Sequence, residues 1–286
     1  MSLSPGVVRA AEDENGLLAE LLKSGVQVSP RVTVRLPSPT LHEGMTAQQQ
    51  RRAIESVAGD RYSWEALTRK SAVAPFVLKV TSNDDDPTVS ARQIDLWFVA
   101  YGKLESLQGE QFLTDQLGSL EDDENEATAV LLTGEALTRR KLPVPVASSD
   151  PRFISAKVTL LEKVQIQATT RTVATSGQNH VLAASVLAAE FQKDAESPNV
   201  WRPLVRDASG KSTPGKAQPY DGLASYLQAT RLQEPSGAML LEYHLVFAEP
   251  RGWFNGSNLL RSKLPIVSQN LVRQIRRKLA EPDRAR

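Results

Sequence analysis

Apolar and polar residues alternate through residues 153–172. Ile154, Ala156, Val158, Leu160, Val164, Ile166 and Ala168 share one parity, and Ser155, Lys157, Thr159, Lys163, Gln165 and Gln167 share the other. Strand side chains point to opposite faces with period 2, so the run predicts one long, half-buried antiparallel strand. It leads into Ser176-Gly177-Gln178-Asn179, a turn-forming cluster, and then a second apolar run over 181–191. Residues 223–232 and 239–247 predict another hairpin, joined at Glu234-Pro235-Ser236-Gly237, with Met239, Leu241, Tyr243, Leu245 and Phe247 on one face. The period then changes. Leu264, Val267, Leu271, Ile275 and Leu279 recur at helical spacing, with Arg273, Arg276, Arg277 and Lys278 on other faces.

Upstream, residues 17–22 predict a short helix stopped by Gly25, and 31–36 an alternating strand ended by Pro37 and Pro39. Thr46 caps a helix over 47–57, with Gly59 as the stop, and Ser63 caps a further helix over 64–70. Residues 76–80, 94–101 and 127–133 predict strands; the second is apolar throughout, as expected of a strand covered on both faces. A short helix is expected within 104–117, an acidic loop over 121–126, a connector around Pro143, Pro145 and 148–151, a short strand over 201–206 and an exposed loop over 207–220. Pro250, Gly252 and Gly256 loosen the link into the last helix.

These elements predict an α+β protein: a curved antiparallel β-sheet packed on a long C-terminal helix, with short N-terminal helices. An N-terminal segment, 1–25, precedes a single α+β domain over 26–283, with a sub-boundary expected near 141–152. The order of elements resembles the helix-grip fold of the Bet v 1 and START-related proteins, carried by residues 31–36, 46–70, the strands between 76 and 247, and 264–279. That resemblance implies a sheet wrapped around the last helix, often around a space for an apolar ligand. The long connectors at 103–126 and 141–153 and the surplus of strand candidates depart from that fold. The stretches Ala74-Pro75-Phe76-Val77-Leu78 and 94–102 also resemble uncharacterised exported bacterial proteins, which implies no activity.

Composition narrows the function classes. A length of 286 residues can bury a sizeable core, and a formal net charge of +1 supplies no global field for nucleic acid. Aromatic residues are 6% of the chain, against a stacking platform for single strands. The absence of cysteine excludes disulfides, thiolate nucleophiles and cysteine metal sites. No apolar run approaches the ~20 residues that span a bilayer. Ser4-Pro5-Gly6-Val7-Val8-Arg9-Ala10 before Ala11-Glu12-Asp13-Glu14 has the character of a signal-peptide tail without its apolar region. A cytoplasmic location is the default reading, and export follows if that segment is the end of a trimmed signal peptide.

No chemical motif stands out. His42, His180 and His244 lack the i, i+4 pairing of a helical zinc site, so no metal site and no cofactor are expected. Asp84-Asp85-Asp86 reads as a solvated turn rather than a calcium loop, because the central Gly and closing Glu are missing. Ser209-Gly210-Lys211-Ser212 has Val205 where a phosphate loop needs its first Gly. Arg273, Arg276, Arg277, Lys278, Arg284 and Arg286 read as complements to the helix dipole, with phosphate or anionic lipid as the alternative.

The resulting expectation is a non-enzymatic binding or interaction protein. A small apolar ligand is its expected partner if the sheet and helix leave a cavity. The walls would come from Val158, Leu160, Val164, Ala168, Leu241, Tyr243 and Leu245, opposite Leu271 and Ile275. Small residues on the inward parity either bring the helix close or leave a void. The alternatives are an enzyme with a site assembled from distant residues such as Glu242, Tyr243 and His244, or a structural protein of an exported assembly. Adjacent strand residues face opposite ways, which counts against those three acting together.

Overall fold

The protein is described here by a computed structural model covering residues 15–108, 126–147, 150–206, 212–254 and 259–280. Residues 4–14, the acidic run 121–125, most of the expected helix in 104–117, Ser209 to Lys211, Gly256, Arg284 and Arg286 lie outside the described residues. Helix α1 (Gly16–Ser24) starts at Asn15, whose side chain accepts the Leu18 N–H and donates to the carbonyl of Val173. A two-stranded ribbon follows, β1 (Val26–Gln27) with β2 (Thr33–Val34). Helix α2 (Ala47–Ala58) opens with a reciprocal capping box between Thr46 and Gln49, and Ser63 caps α3 (Trp64–Leu67).

The rest is one 11-stranded antiparallel sheet and a final helix. Its strands are β3 (Val77–Asn83), β4 (Val89–Tyr101), β5 (Glu126–Leu131), β6 (Arg152–Leu160), β7 (Val164–Ser176), β8 (His180–Leu187), β9 (Val200–Arg206), β10 (Ser212–Pro214), β11 (Gln218–Pro219), β12 (Leu223–Arg231) and β13 (Ala238–Pro250). The order across the sheet is β3-β4-β13-β12-β8-β7-β6-β5. Strand β7 changes partner along one edge: β8 pairs with its second half and β9 with Val164–Gln167. Helix α4 (Gly134–Arg139), capped by Thr133, sits in the connector between β5 and β6 and carried no apolar period that predicted it.

Several expectations are corrected. The alternating run 153–172 is two strands, β6 and β7, folded at Leu161-Glu162. Both turn residues have positive φ, 52° and 51°, and the Lys163 N–H closes the turn on the carbonyl of Leu160. Leu160 pairs with Val164, so the even-numbered residues stay on one face through the turn. A primed turn normally advertises itself with Gly, Asn or Asp; here Leu and Glu adopt the left-handed region and the pattern reads straight through. The strand expected over 31–36 contributes only Thr33–Val34 to the separate ribbon. The apolar run 181–191 leaves the sheet at Leu187, and Ala189–Phe191 is a 3-10 turn. Within 104–117 the described part is a 3-10 turn, Leu104–Leu107. The loop 207–220 is not wholly exposed: it carries β10 and β11, and Tyr220 is buried.

Helix α5 (Leu259–Ala280) lies on one face of the sheet. Arg276, expected on its solvent side, points into the protein and is buried. Its guanidinium donates to the carbonyls of Val99 (2.8 Å), Pro75 (3.0 Å) and Ala74, and sits 5.6 Å from the centre of the Phe98 ring. Burial, helped by the charge of Arg69, lowers its pKa to about 10, so it stays charged at neutral pH. Close approach also needs Gly102: a Cβ there would lie 2.5 Å from the carbonyl oxygen of Leu279. Replacing Arg276 with Met strands these carbonyls, and urea denaturation should show a loss of about 3 kcal/mol or more. An unchanged midpoint would remove the clamp from this account.

Candidate functional site

The even residues of β6 and β7 and the matching residues of β8, β12, β13 and β4 form one continuous face, and α5 crosses it. Between them lies a cavity of about 300 Å3. Ile154, Ala156, Val158 and Leu160 of β6 form one wall, and Ile94, Leu96 and Phe98 of β4 the other, so the sheet bends around the helix. Ala156 and Ala168 face each other across β6 and β7, and Ala183 follows on β8. These short side chains leave the volume open. The sheet and α5 together form a helix-grip arrangement.

Of the residues expected to line such a space, Val158, Leu160, Ala168, Tyr243 and Leu245 do so from the sheet, and Leu271 and Ile275 from the helix. Val164 and Leu241 do not. Both are fully buried in packed clusters, Leu241 with Phe98, Val272 and Leu279 where the helix end closes on the sheet. The β4 residues, Leu223, Leu227 and Tyr220 were not expected. Strand β4 is apolar on both faces and gives no clue to which face opens inward, and Tyr220 lies in a stretch without periodicity.

Hydroxyls interrupt the apolar lining. Thr170, Thr172, Ser185 and Ser225 line it from neighbouring strands, and Ser268 from α5. Thr172 Oγ1 and Ser185 Oγ are 2.8 Å apart, and Tyr243 lies on β13, the strand beside Ser225 of β12. Desolvation raises the pKa of Tyr243 and of Tyr220, whose hydroxyl donates to the carbonyl of Ala248, so both phenols are neutral donors. The charged side chain on the lining is Lys263, half-buried on α5.

The opposite face of the same strands carries a sealed polar cluster. His244 Nδ1 is 2.7 Å from Asp95, and Nε2 is 3.5 Å from Glu242. Glu242 also accepts the Thr40 N–H (3.0 Å) and the Trp97 Nε1–H (3.3 Å), while Tyr226 stacks on the imidazole at 4.5 Å. His244 is 0% exposed and Glu242 1%. Burial opposes the imidazolium, and the hydrogen bonds and charges of Asp95 and Glu242 outweigh it, so the pKa is raised above 6.5. Tyr243 points the other way, into the cavity, as strand alternation requires. The two carboxylates sit on opposite ring nitrogens and share no point where an ion would fit.

The other candidates are local. His42 is in a loop, with Nδ1 3.1 Å from the carbonyl of Glu43, and His180 is buried at the start of β8. Asp86 binds the Thr88 N–H and hydroxyl, which lowers its pKa to about 2. Among the described residues no group of His, Asp or Glu has the arrangement of a metal site, and no helix is long and apolar enough to cross a membrane.

No protein family and no curated protein matches the chain. Solved structures similar to it include the human StarD13 (DLC2) lipid transfer and protein localization domain, at 8% identity, 72% of this chain, 91% of that chain and a TM-score of 0.40. Protein Ms6760 from Mycobacterium smegmatis is similar at 12% identity, 71% of this chain, 99% of that chain and a TM-score of 0.34. CalU16 from Micromonospora echinospora is similar at 9% identity, 72% of this chain, 96% of that chain and a TM-score of 0.25.

Two outcomes follow from this geometry. Ile275→Ala removes packed core and should cost about 2–5 kcal/mol in urea denaturation, whereas Leu271→Ala only enlarges existing space and should cost less. Equal losses would mean that the cavity is closed. The second outcome concerns His244, whose raised folded pKa gives stability that is complete below 6.5 and is lost as pH rises through the folded value. The denaturation midpoint should therefore fall as pH rises from 6.5 through the folded pKa, and the slope should flatten in Asp95→Asn. A midpoint level over that range in the native sequence would refute a charged His244.

Proposed function

We propose that the chain is a non-enzymatic binding protein that holds a small apolar ligand between the sheet and α5. The observation that carries this reading is a cavity of about 300 Å3 whose lining is apolar nearly throughout. Close-packed cores have few voids larger than a water molecule, and an apolar cavity of roughly 150 Å3 is enough to stay dry and accept benzene. Placement of titratable groups supports binding over catalysis. His244, Glu242 and Asp95 are buried on the face opposite the cavity, away from anything it holds.

An environment-sensitive apolar dye tests the proposal. Native protein should bind it saturably. Ala168→Phe, which fills the space between β7 and α5, should abolish binding, and Ala183→Leu should weaken it. Circular dichroism and thermal melting would confirm that each variant is folded. Dye binding that appears only on partial unfolding, or that survives both substitutions in folded protein, would overturn the ligand-carrier reading.

A further inference from the structure

The hydroxyls on the sheet wall are in one row. Thr172 of β7 pairs directly with Ser185 of β8, and Ser185 pairs directly with Ser225 of β12. The row thus crosses three adjacent strands at one level of an otherwise apolar face. Thr170 extends it along β7, with its Oγ1 3.5 Å from that of Thr172, and Tyr243 lines the same cavity from β13, the strand beside Ser225.

Alanine or valine would pack these positions without any desolvation cost, so the hydroxyls need a polar counterpart. They satisfy one another only in part. Each hydroxyl has one donor and two acceptor sites. Thr170, Thr172 and Ser185 make two mutual bonds with three donors, and Ser225 and Tyr243 follow on the next two strands. The first three retain a donor and several lone pairs between them. Thr170, Ser185, Ser225 and Tyr243 all keep partial accessibility, and all line the cavity.

We infer that this row is a polar subsite that selects an uncharged amphiphile, a molecule with an apolar body and a hydroxyl or carbonyl group set against Ser185 and Ser225. The inference rests on the cavity being a ligand site, and it adds the chemical class of the ligand. Hydroxyls both donate and accept, which suits an alcohol or ketone. Arg152 of β6 pairs with Thr172, but its guanidinium donates to the carbonyls of Asp150 and Ala147 and does not line the cavity; on the other side Ser225 faces Leu245 on β13, and Leu245 faces Ile94 on β4. A carboxylate set there would lose its hydration without a countercharge.

The test is competition against the apolar dye with three probes of one skeleton: decane, 1-decanol and decanoate. Affinities are measured for the native protein and for Thr172→Val, Ser185→Ala and Ser225→Ala. Water solvates the alcohol better than the alkane, so the readout is the ratio of decanol to decane affinity within each protein, compared between proteins. The ratio should fall about five- to tenfold in Ser185→Ala and Ser225→Ala, while decane binding is retained as a check on folding. Ser225→Thr, which keeps the hydroxyl, should restore it. A ratio unchanged in every variant would overturn the polar subsite and leave the apolar cavity standing. Decanoate binding more tightly than decanol would move recognition to Lys263 and also overturn it. Binding of neither dye nor decane would instead remove the cavity as a ligand site, and the subsite with it.

Discussion

One buried guanidinium determines where the last helix lies. Arg276 binds the carbonyls of Val99, Ala74 and Pro75, and so ties α5 to the end of β4 and to the segment leading into β3. Gly102 lets the same end of the helix come within contact of the chain leaving β4. With that end fixed, Ile275 and Leu279 complete a packed cluster with Leu241 and Phe98. Further back along the helix, Leu264, Val267 and Leu271 face short side chains across open space. The cavity results from anchoring a helix tightly at one end of a face whose centre carries Ala156, Ala168 and Ala183.

The two faces of the central strands treat polarity differently. On the outer face, His244, Asp95, Glu242, Trp97 and Thr40 bind one another beneath the segment at 37–41, and Tyr226 donates to the carbonyl of Pro37. That network holds the segment at 37–41 against the sheet and leaves the imidazole closed to solvent. On the inner face, the polar side chains that line the cavity from the sheet are hydroxyls. The same β12 and β13 thus provide a structural seal on one side and an open wall on the other, a division set by strand alternation.

Much of this was legible in the alternation itself. The even parity of 154–168 and the odd parity of 239–247 identify the inner face, and the helical period from Leu264 to Leu279 identifies what covers it. The turn at Leu161-Glu162 was not legible, because nothing in those side chains favours positive φ and the parity continues through it. Arg276 looked like one more basic residue on a polar face; its role depends on carbonyls about 200 positions away, which sequence spacing does not bring together. His244 and Asp95 are likewise 149 residues apart and meet only because β13 pairs with β4. The hydroxyl row was hidden for a similar reason: Thr172, Ser185 and Ser225 look unremarkable in three separate strands, and only the register aligns them.

The pairing of β4 with β13 also bears on how the protein reaches this state. These strands are joined from Val89–Pro250 to Tyr101–Ala238, in the middle of the sheet, yet their partners enter the chain roughly 150 residues apart. Contacts so distant in sequence are slow to form, because loop-closure entropy is lost before any contact repays it. During synthesis β4 emerges early with its β13 edge unpaired, and much of the chain follows before β13 can cover it. An open apolar edge of that kind is a template for pairing with other chains. The order of elements that places the cavity at the centre of the fold therefore leaves one of its longest strands with an open edge while residues 102–237 are made.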